Sequence, residues 1–403
     1  MVEVESMKLY SGVTYWDKKQ SSYESHLSLA DNIKTKILIV GGGMSGNLAA
    51  YILSKRGHQV VVVDKDKLGS GSSTANTGML QYSSDMMLTE FIQSIGEKKA
   101  VLFYQMCLEA MKDLTSLNYD LDYDGDYILR DSIYYASQKD DVNNLIHEYE
   151  SLKKHGFPVE FLEQEQLEKE YDINKGAALK TWFDAEVNPY KFIQAIVQKN
   201  KSRGVTYFEN TNILLDEIKS GSAITSQGHT IIFDQIILAT GYAKIYECIK
   251  DKAQIERTYA FSATTSSNQP WKDDVMIWET RRPYLYFRTA KDHRIIAGGE
   301  DEYISNVEED QDVIFEKTEK IRKQIEQVFP HLKLNITHRW NALFGTSKDG
   351  LPFIGKDPKL KNRYYLLGYE GNGTCYSMAG ANILADLIEG KTNPYSDVVA
   401  INR

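Results

Sequence analysis

Cysteine is scarce in this chain of 403 residues: Cys107, Cys248 and Cys375 stand far apart and form no CxxC pair. That argues against a disulfide framework or a zinc site and makes a reducing cytoplasm the expected compartment. No apolar run approaches the roughly 20 residues of a membrane span; Val60–Val63 is far too short. MVEVESMKLY has no basic region followed by an apolar one, so a secretory signal is not expected. Positive charge is in deficit, 47 Lys and Arg against 56 Asp and Glu, a net −9. That balance disfavours nucleic acid or anionic lipid as the main partner. The eight histidines show no ligand spacing, and none is assigned to a metal. Proline is also rare, at 8, whereas tyrosine reaches 26, which suits a regular enzyme fold with aromatic-rich pockets. With 42% hydrophobic residues the chain is not disordered along its whole length. Its length allows two domains or one large α/β unit.

Patterning supplies the elements. Lys36–Val40 is a short apolar run closed by glycines and predicts a buried strand. Residues 46–56 carry helical apolar spacing, with basic residues in the last turn and Gly57 as a stop. Gln59–Val63 predicts a second strand, which completes a βαβ unit. Residues 85–170 read as mostly helical. Asn188-Pro189 is a cap followed by proline at the first helical position. Strands dominate from about 255 to 300, Asp310–Val328 is an amphipathic helix, and a last helix runs from about Cys375 to Glu389. Tyr15, Trp16 and Tyr23 mark residues 1–30 as an arm laid on the body. The expected fold is α/β: a Rossmann-like dinucleotide domain (31–90, 185–250, 336–395) interleaved with a strand-rich α+β substrate domain (91–184, 251–335).

Four glycine-rich segments carry the chemistry. Gly41, Gly43 and Gly46, with Met44 and Ser45 between them, fit GxGxxG at a strand-to-helix junction. Gly41 serves the tight turn, Gly43 the approach of a pyrophosphate, and Gly46 the close packing of helix on strand. The helix N-terminus offers amides and partial positive charge to phosphate. Asp64, followed by Lys65, is placed for a ribose diol. The loop holding Gly71, Ser72, Ser73, Asn76, Thr77, Gly78 and Met79 exposes small residues beside the ribose-binding strand. Ala239, Thr240 and Gly241 end a third buried strand, and Ile213 joins the expected cofactor contacts. Gly371, Asn372, Gly373 and Thr374 feed the last helix, whose N-terminus would stabilise a negative flavin. The glycine motif alone does not separate FAD from NAD.

Taken in order, KILIVGGGMSG with Asp64, GSGSSTANTGML, NPYKF, ILATGY, PYLYFR with IIAGGED, and W…G…DGLPFIG with GYEGNG span roughly residues 10–390. This series resembles the D-amino acid oxidase-like group of FAD-dependent oxidoreductases: glycine oxidase, sarcosine oxidase, D-amino acid dehydrogenase and γ-glutamylputrescine oxidase-like proteins. The resemblance implies FAD lying between a dinucleotide domain and a sheet-rich substrate domain. It also marks departures. Phe344-Gly345 stands where glycine oxidase types carry the Arg-Pro that grips a carboxylate, Cys375 and Gln81 occupy two further cationic positions, and Ile296 lies near the lysine of sarcosine oxidases. Leu343 and Ala75 fall at the positions of covalent flavin attachment, so a non-covalent flavin is implied.

The expected activity is oxidation of an amine C–N bond: hydride passes to flavin N5, the imine hydrolyses, and the substrate carries no α-carboxylate. No protein residue is assigned a catalytic role in that chemistry. An amino-acid oxidase or dehydrogenase of glycine-oxidase type is the alternative, and a flavin-binding subunit or sensor without turnover is a second. Tyr259, Tyr286, Arg288 and Phe344 are the candidate pocket residues, Arg288 being the fallback cation. The partners are a small-molecule amine and an electron acceptor, oxygen or another carrier.

Overall fold

The structure, a computed structural model, describes residues 8–16, 25–267 and 269–403; Tyr23 lies outside them. Ile33–Val40 is the centre of a seven-stranded sheet. On one side it pairs in parallel with Val60–Val63, which pairs with Thr206–Phe208. On the other it pairs in parallel with Thr230–Leu238, which pairs with Arg363–Leu367. Antiparallel Phe353–Lys356 closes that edge.

Both faces of this sheet are covered, which explains its unbroken apolar strands. Ile37, Ile39, Val60, Val62 and Ile237 face the helices Met44–Lys55, Pro189–Ser202 and Gly373–Ile388. Leu38, Val40, Val61, Val63, Ile236 and Leu238 face the segments around Ile213–Ala223 and Tyr246–Ala253. Asn188 caps its helix as its sequence position predicts, accepting from the Lys191 amide at 3.1 Å. The strand order reverses at Ile33–Val40, so a crevice opens beyond the C-terminal ends of the parallel strands, where such sheets hold ligands.

The second sheet has ten strands. Its central run pairs Asn335–Ser347 with Ala253–Thr264, then Ile295–Glu302, Tyr286–Thr289, Met276–Glu279 and Ile128–Tyr135. Tyr10–Gly12, from the expected arm, pairs with Asn335–Ser347 at one edge, and Met79–Leu80 with Ala177–Glu186 at the other. Asn335–Ser347 and Met79–Leu80 thus join the larger sheet, although the sequence division counts them with the dinucleotide segments. Strand alternation decides what each face carries. Tyr259, Phe261, Phe287, Ile295 and Ala297 point to the helix Gln311–Val328. Thr258, Ala260, Ala342 and Phe344 point the other way, into a cavity between the two sheets.

Candidate functional site

The ligand crevice is a trench in two connected parts. The inner part is lined by Gly41, Gly43, Asp64, Lys65, Gly71, Ile213, Ala239 and Thr240. The outer part is lined by Asn76, Thr77, Met79, Gly371, Asn372, Gly373 and Thr374. Met44, Ser45, Ser72, Ser73 and Gly241 line both. The spaces measure about 1000 and 1310 Å³, open mouths included. A pocket for one small ligand takes roughly 300–1,000 Å³, so the trench suits a long dinucleotide with a substrate beside it.

The glycines divide into two kinds. Gly46 is an internal spacer: a Cβ there would lie 1.8 Å from the Gly41 carbonyl oxygen. Gly41 has φ +110, and a Cβ on it would meet the Ala239 carbonyl oxygen at 2.3 Å. Gly43 is different. A Cβ there would meet only Ser73 Oγ, at 3.1 Å, and would otherwise project into the trench. Gly46 and Gly78 touch neither space and shape the backbone from behind.

Two helix N-termini open on the trench, at Met44 and at Gly373, and neither has an acidic residue in its first turn or a side-chain cap bond. Ser45 Oγ and Ser377 Oγ join them at 2.7 Å. Amide donors and two helix N-termini favour an anion there. Ser72 Oγ is buried without a partner. Asp64 accepts from the Gly42 and Asp66 amides at 2.6 and 2.8 Å. Burial pushes its carboxyl up to about 6 against those two bonds. A dinucleotide with a pyrophosphate and a ribose diol fits this set.

The loop between the parts is pinned carbonyl by carbonyl. Trp340 Nε1 donates to Ala75 O at 2.9 Å, Trp16 Nε1 to Asn76 O at 2.7 Å, and Arg288 Nε to Thr77 O at 2.9 Å. Arg288 also donates to the carbonyls of Val187 and Thr289, both at 2.8 Å, and lies 3.8 Å from Glu186. It is only 2% exposed and lines a separate cleft behind the loop. Its expected place facing the substrate is therefore not where the structure puts it. Tyr259 is displaced too: its strand position faces the Gln311–Val328 helix, and its hydroxyl donates to Glu302 at 3.1 Å. Cys375 is buried and donates to Cys107 O at 3.4 Å.

Phe344, Tyr286, Gln81, Leu343 and Ala75 do line the outer part. So do Tyr284, which the sequence also offers for an apolar cage around an amine, and residues that sequence reasoning missed: Asp85, Trp278, Asp301 and Glu370. Asp301 reaches the cavity through a β-bulge. Between Arg257 and Tyr259 the pairing register shifts, so Thr258 faces both Glu300 and Asp301. Glu300 (φ 58) turns to Lys320 at 2.7 Å, leaving Asp301 on the cavity side. Burial pushes the Asp301 carboxyl up to about 7, the Glu256 and Asp85 charges add to this, and the Thr258 hydroxyl opposes it. Glu370 has left-handed backbone, φ 77, within its glycine turn. Its carboxylate accepts from Ser347 Oγ at 2.9 Å and from the Ser347 amide. Burial, then the Asp85 charge, pushes it up to about 8. Asp85 accepts from the Tyr284 hydroxyl at 3.0 Å and the Gly371 amide at 2.8 Å. Among the described residues, the outer wall carries three carboxylates and no basic side chain.

Comparison with known proteins agrees with this geometry. The profile of the family described as FAD dependent oxidoreductase matches residues 36–387. A Bacillus subtilis protein named "Putative Rieske 2Fe-2S iron-sulfur protein YhfW" is 24% identical over 97% of this chain and 75% of its own length. Gamma-glutamylputrescine oxidoreductase of Escherichia coli is 22% identical over 94% of this chain and 89% of its own. The crystal structure of glycine oxidase from Geobacillus kaustophilus superposes with a TM-score of 0.76 at 19% identity, covering 92% of this chain and 99% of that one.

Proposed function

Since the chain belongs to the family of FAD dependent oxidoreductases, we propose that it oxidises the C–N bond of an amine whose reacting carbon bears no carboxylate. The observation that carries this reading is the outer wall, with Asp85, Asp301 and Glu370 and no described basic side chain. A substrate carboxylate would enter a site with no basic side chain on its described lining to pair it, beside three acids whose ionisation it would further oppose. Phe344 stands on that wall and offers an apolar ring. Of the relatives' names, gamma-glutamylputrescine supports this reading better than glycine does.

When bound, FAD supplies the redox chemistry by taking up the hydride. The chain's own residues bind, orient and shield. Gly43, Met44 and Ser45 would hold the pyrophosphate, and Asp64 the ribose hydroxyls. Gly371–Thr374 would bring the second helix N-terminus toward the flavin pyrimidine. Trp278, Tyr284 and Tyr286 would close the substrate side against water. Leu343 and Ala75 offer no side chain for a covalent flavin bond. The electron acceptor we infer to be oxygen or another carrier. The three unpaired cysteines support a cytoplasmic location.

The test is anaerobic bleaching of the FAD-loaded protein by a panel of amines and amino acids. Amines without an α-carboxylate should reduce the flavin at least about tenfold more efficiently, the order expected for leaving one carboxylate unpaired. Glycine, sarcosine or a D-amino acid as the fastest reductant would overturn the reading, and a flavin that no compound bleaches would favour a sensor or subunit instead.

A further inference from the structure

We propose that the preferred substrate carries a second, non-reacting ammonium group, held by Asp301 and Glu370 with Asp85 at the mouth of the outer cavity. The inference rests on the amine-oxidation reading above and narrows its substrate class to diamines and longer polyamines.

The first ground is charge matching. A nitrogen that gives up hydride from its neighbouring carbon must be a free base at that moment, because an ammonium has no lone pair to stabilise the electron-deficient carbon. The reacting nitrogen therefore cannot neutralise the wall when the reaction occurs. Three carboxylates line the cavity, and Glu256 stands close behind them, adding its charge to those of Asp301 and Glu370. Arg282 is the opposing charge nearby, outside the lining, with its guanidinium 4.9 Å from the Tyr284 ring centroid. An ammonium set beside Asp301 and Glu370 would favour their charged forms, which burial and the neighbouring acids oppose in its absence.

The second ground is unsatisfied hydrogen bonding. Asp301 Oδ1 is buried and has no partner. A buried carboxylate oxygen left open marks a place that a donor completes. The third ground is the aromatic surround. Trp278, Tyr284 and Tyr286 form a chain of rings with centroids 6.3 and 5.6 Å apart beside these acids. Such faces attract an alkylammonium and cover its methylene chain.

The experiment uses FAD-loaded protein and matched probes: putrescine and spermidine against n-butylamine. Two readouts are taken without oxygen, the amine concentration that half-saturates flavin reduction and the Kd from perturbation of the oxidised flavin spectrum. Putrescine should bind and half-saturate at a concentration at least about tenfold lower than butylamine, as expected for one charge-assisted contact. Asp301→Asn and Glu370→Gln should each shrink that ratio to below about threefold. Both replacements remove a buried charge, so folding is not at risk. Equal Kd values for putrescine and butylamine, or a ratio unchanged in both variants, would overturn the inference. Bleaching by either amine with equal Kd values would leave the amine-oxidation reading standing alone. Tighter putrescine binding without any bleaching would sustain the diamine site and sink the reading of turnover.

Discussion

Gly43 and Gly46 lie three residues apart in one motif, yet their substitution should fail in different ways. A Cβ on Gly46 collides with the Gly41 carbonyl oxygen at 1.8 Å, so the helix must move off its strand. Gly46→Val should therefore cost about 3 kcal/mol of stability before any ligand is added. A side chain on Gly43 enters empty trench, so Gly43→Val should cost the apoprotein roughly 1 kcal/mol, the scale of a poorer N-cap. It should nevertheless abolish FAD binding. Thermal unfolding of both apoproteins, set beside flavin absorbance, separates the two roles. A yellow Gly43→Val protein with an unchanged melting temperature would show that the phosphate turn lies elsewhere.

At the scale of the element, the loop from Gly69 to Gly78 owes its path to side chains from distant strands. Arg288 fastens it and also serves Val187 and Thr289, so Arg288→Ala strands three carbonyls and the buried Glu186. A loss of about 3–5 kcal/mol is expected, with weaker flavin retention. A rise in half-saturating amine concentration with stability and flavin affinity intact would mean that Arg288 reads the substrate after all. The same sheet shows where sequence reading stops. The βαβ unit, the glycine turns and the capped helix at Asn188 were legible because each is a local pattern with one physical cause. Tyr259 was misplaced because alternation reveals two faces but not which one meets the cavity. Asp301 was invisible because strict alternation from Gly298 would bring Glu300 to the trench, and the bulge puts Asp301 there instead. Arg288 carried the right chemistry for a clamp, and only the long-range contacts to Thr77 and Val187 show that it is spent on backbone.

For the whole molecule, the buried acids set the pH dependence of stability. Burial is the leading cause of the raised carboxyls of Asp64 and Asp184, each about 6, of Asp301 at about 7 and of Glu370 at about 8. An acid whose folded-state value exceeds its unfolded value near 4 contributes stability that is complete below that value. The contribution is lost as pH rises through the folded value. The apoprotein should accordingly lose several kcal/mol between pH 5 and pH 8.5, with Glu370 the largest contributor. Glu389, drawn down to about 2 by Lys391 and His58, titrates below this window. Urea unfolding across the range checks the sign, and stability that rises with pH would contradict the burial of these groups. Glu370→Gln should flatten the upper half of the curve.

The weaving of the two sheets has a consequence for the order of events during synthesis. The trench takes Gly41 from one end of the chain and Ser377 from the other, and Ile33–Val40 must wait for Thr230–Leu238 to cover its open edge. A growing chain therefore carries the complete glycine motif long before it has anywhere to put a cofactor. Until the last helix emerges, the early strands present unpaired edges and apolar faces, the conditions under which chains associate wrongly. FAD can select only the finished molecule, so its supply in the cell would govern how much chain is kept folded after release rather than how the chain begins to fold.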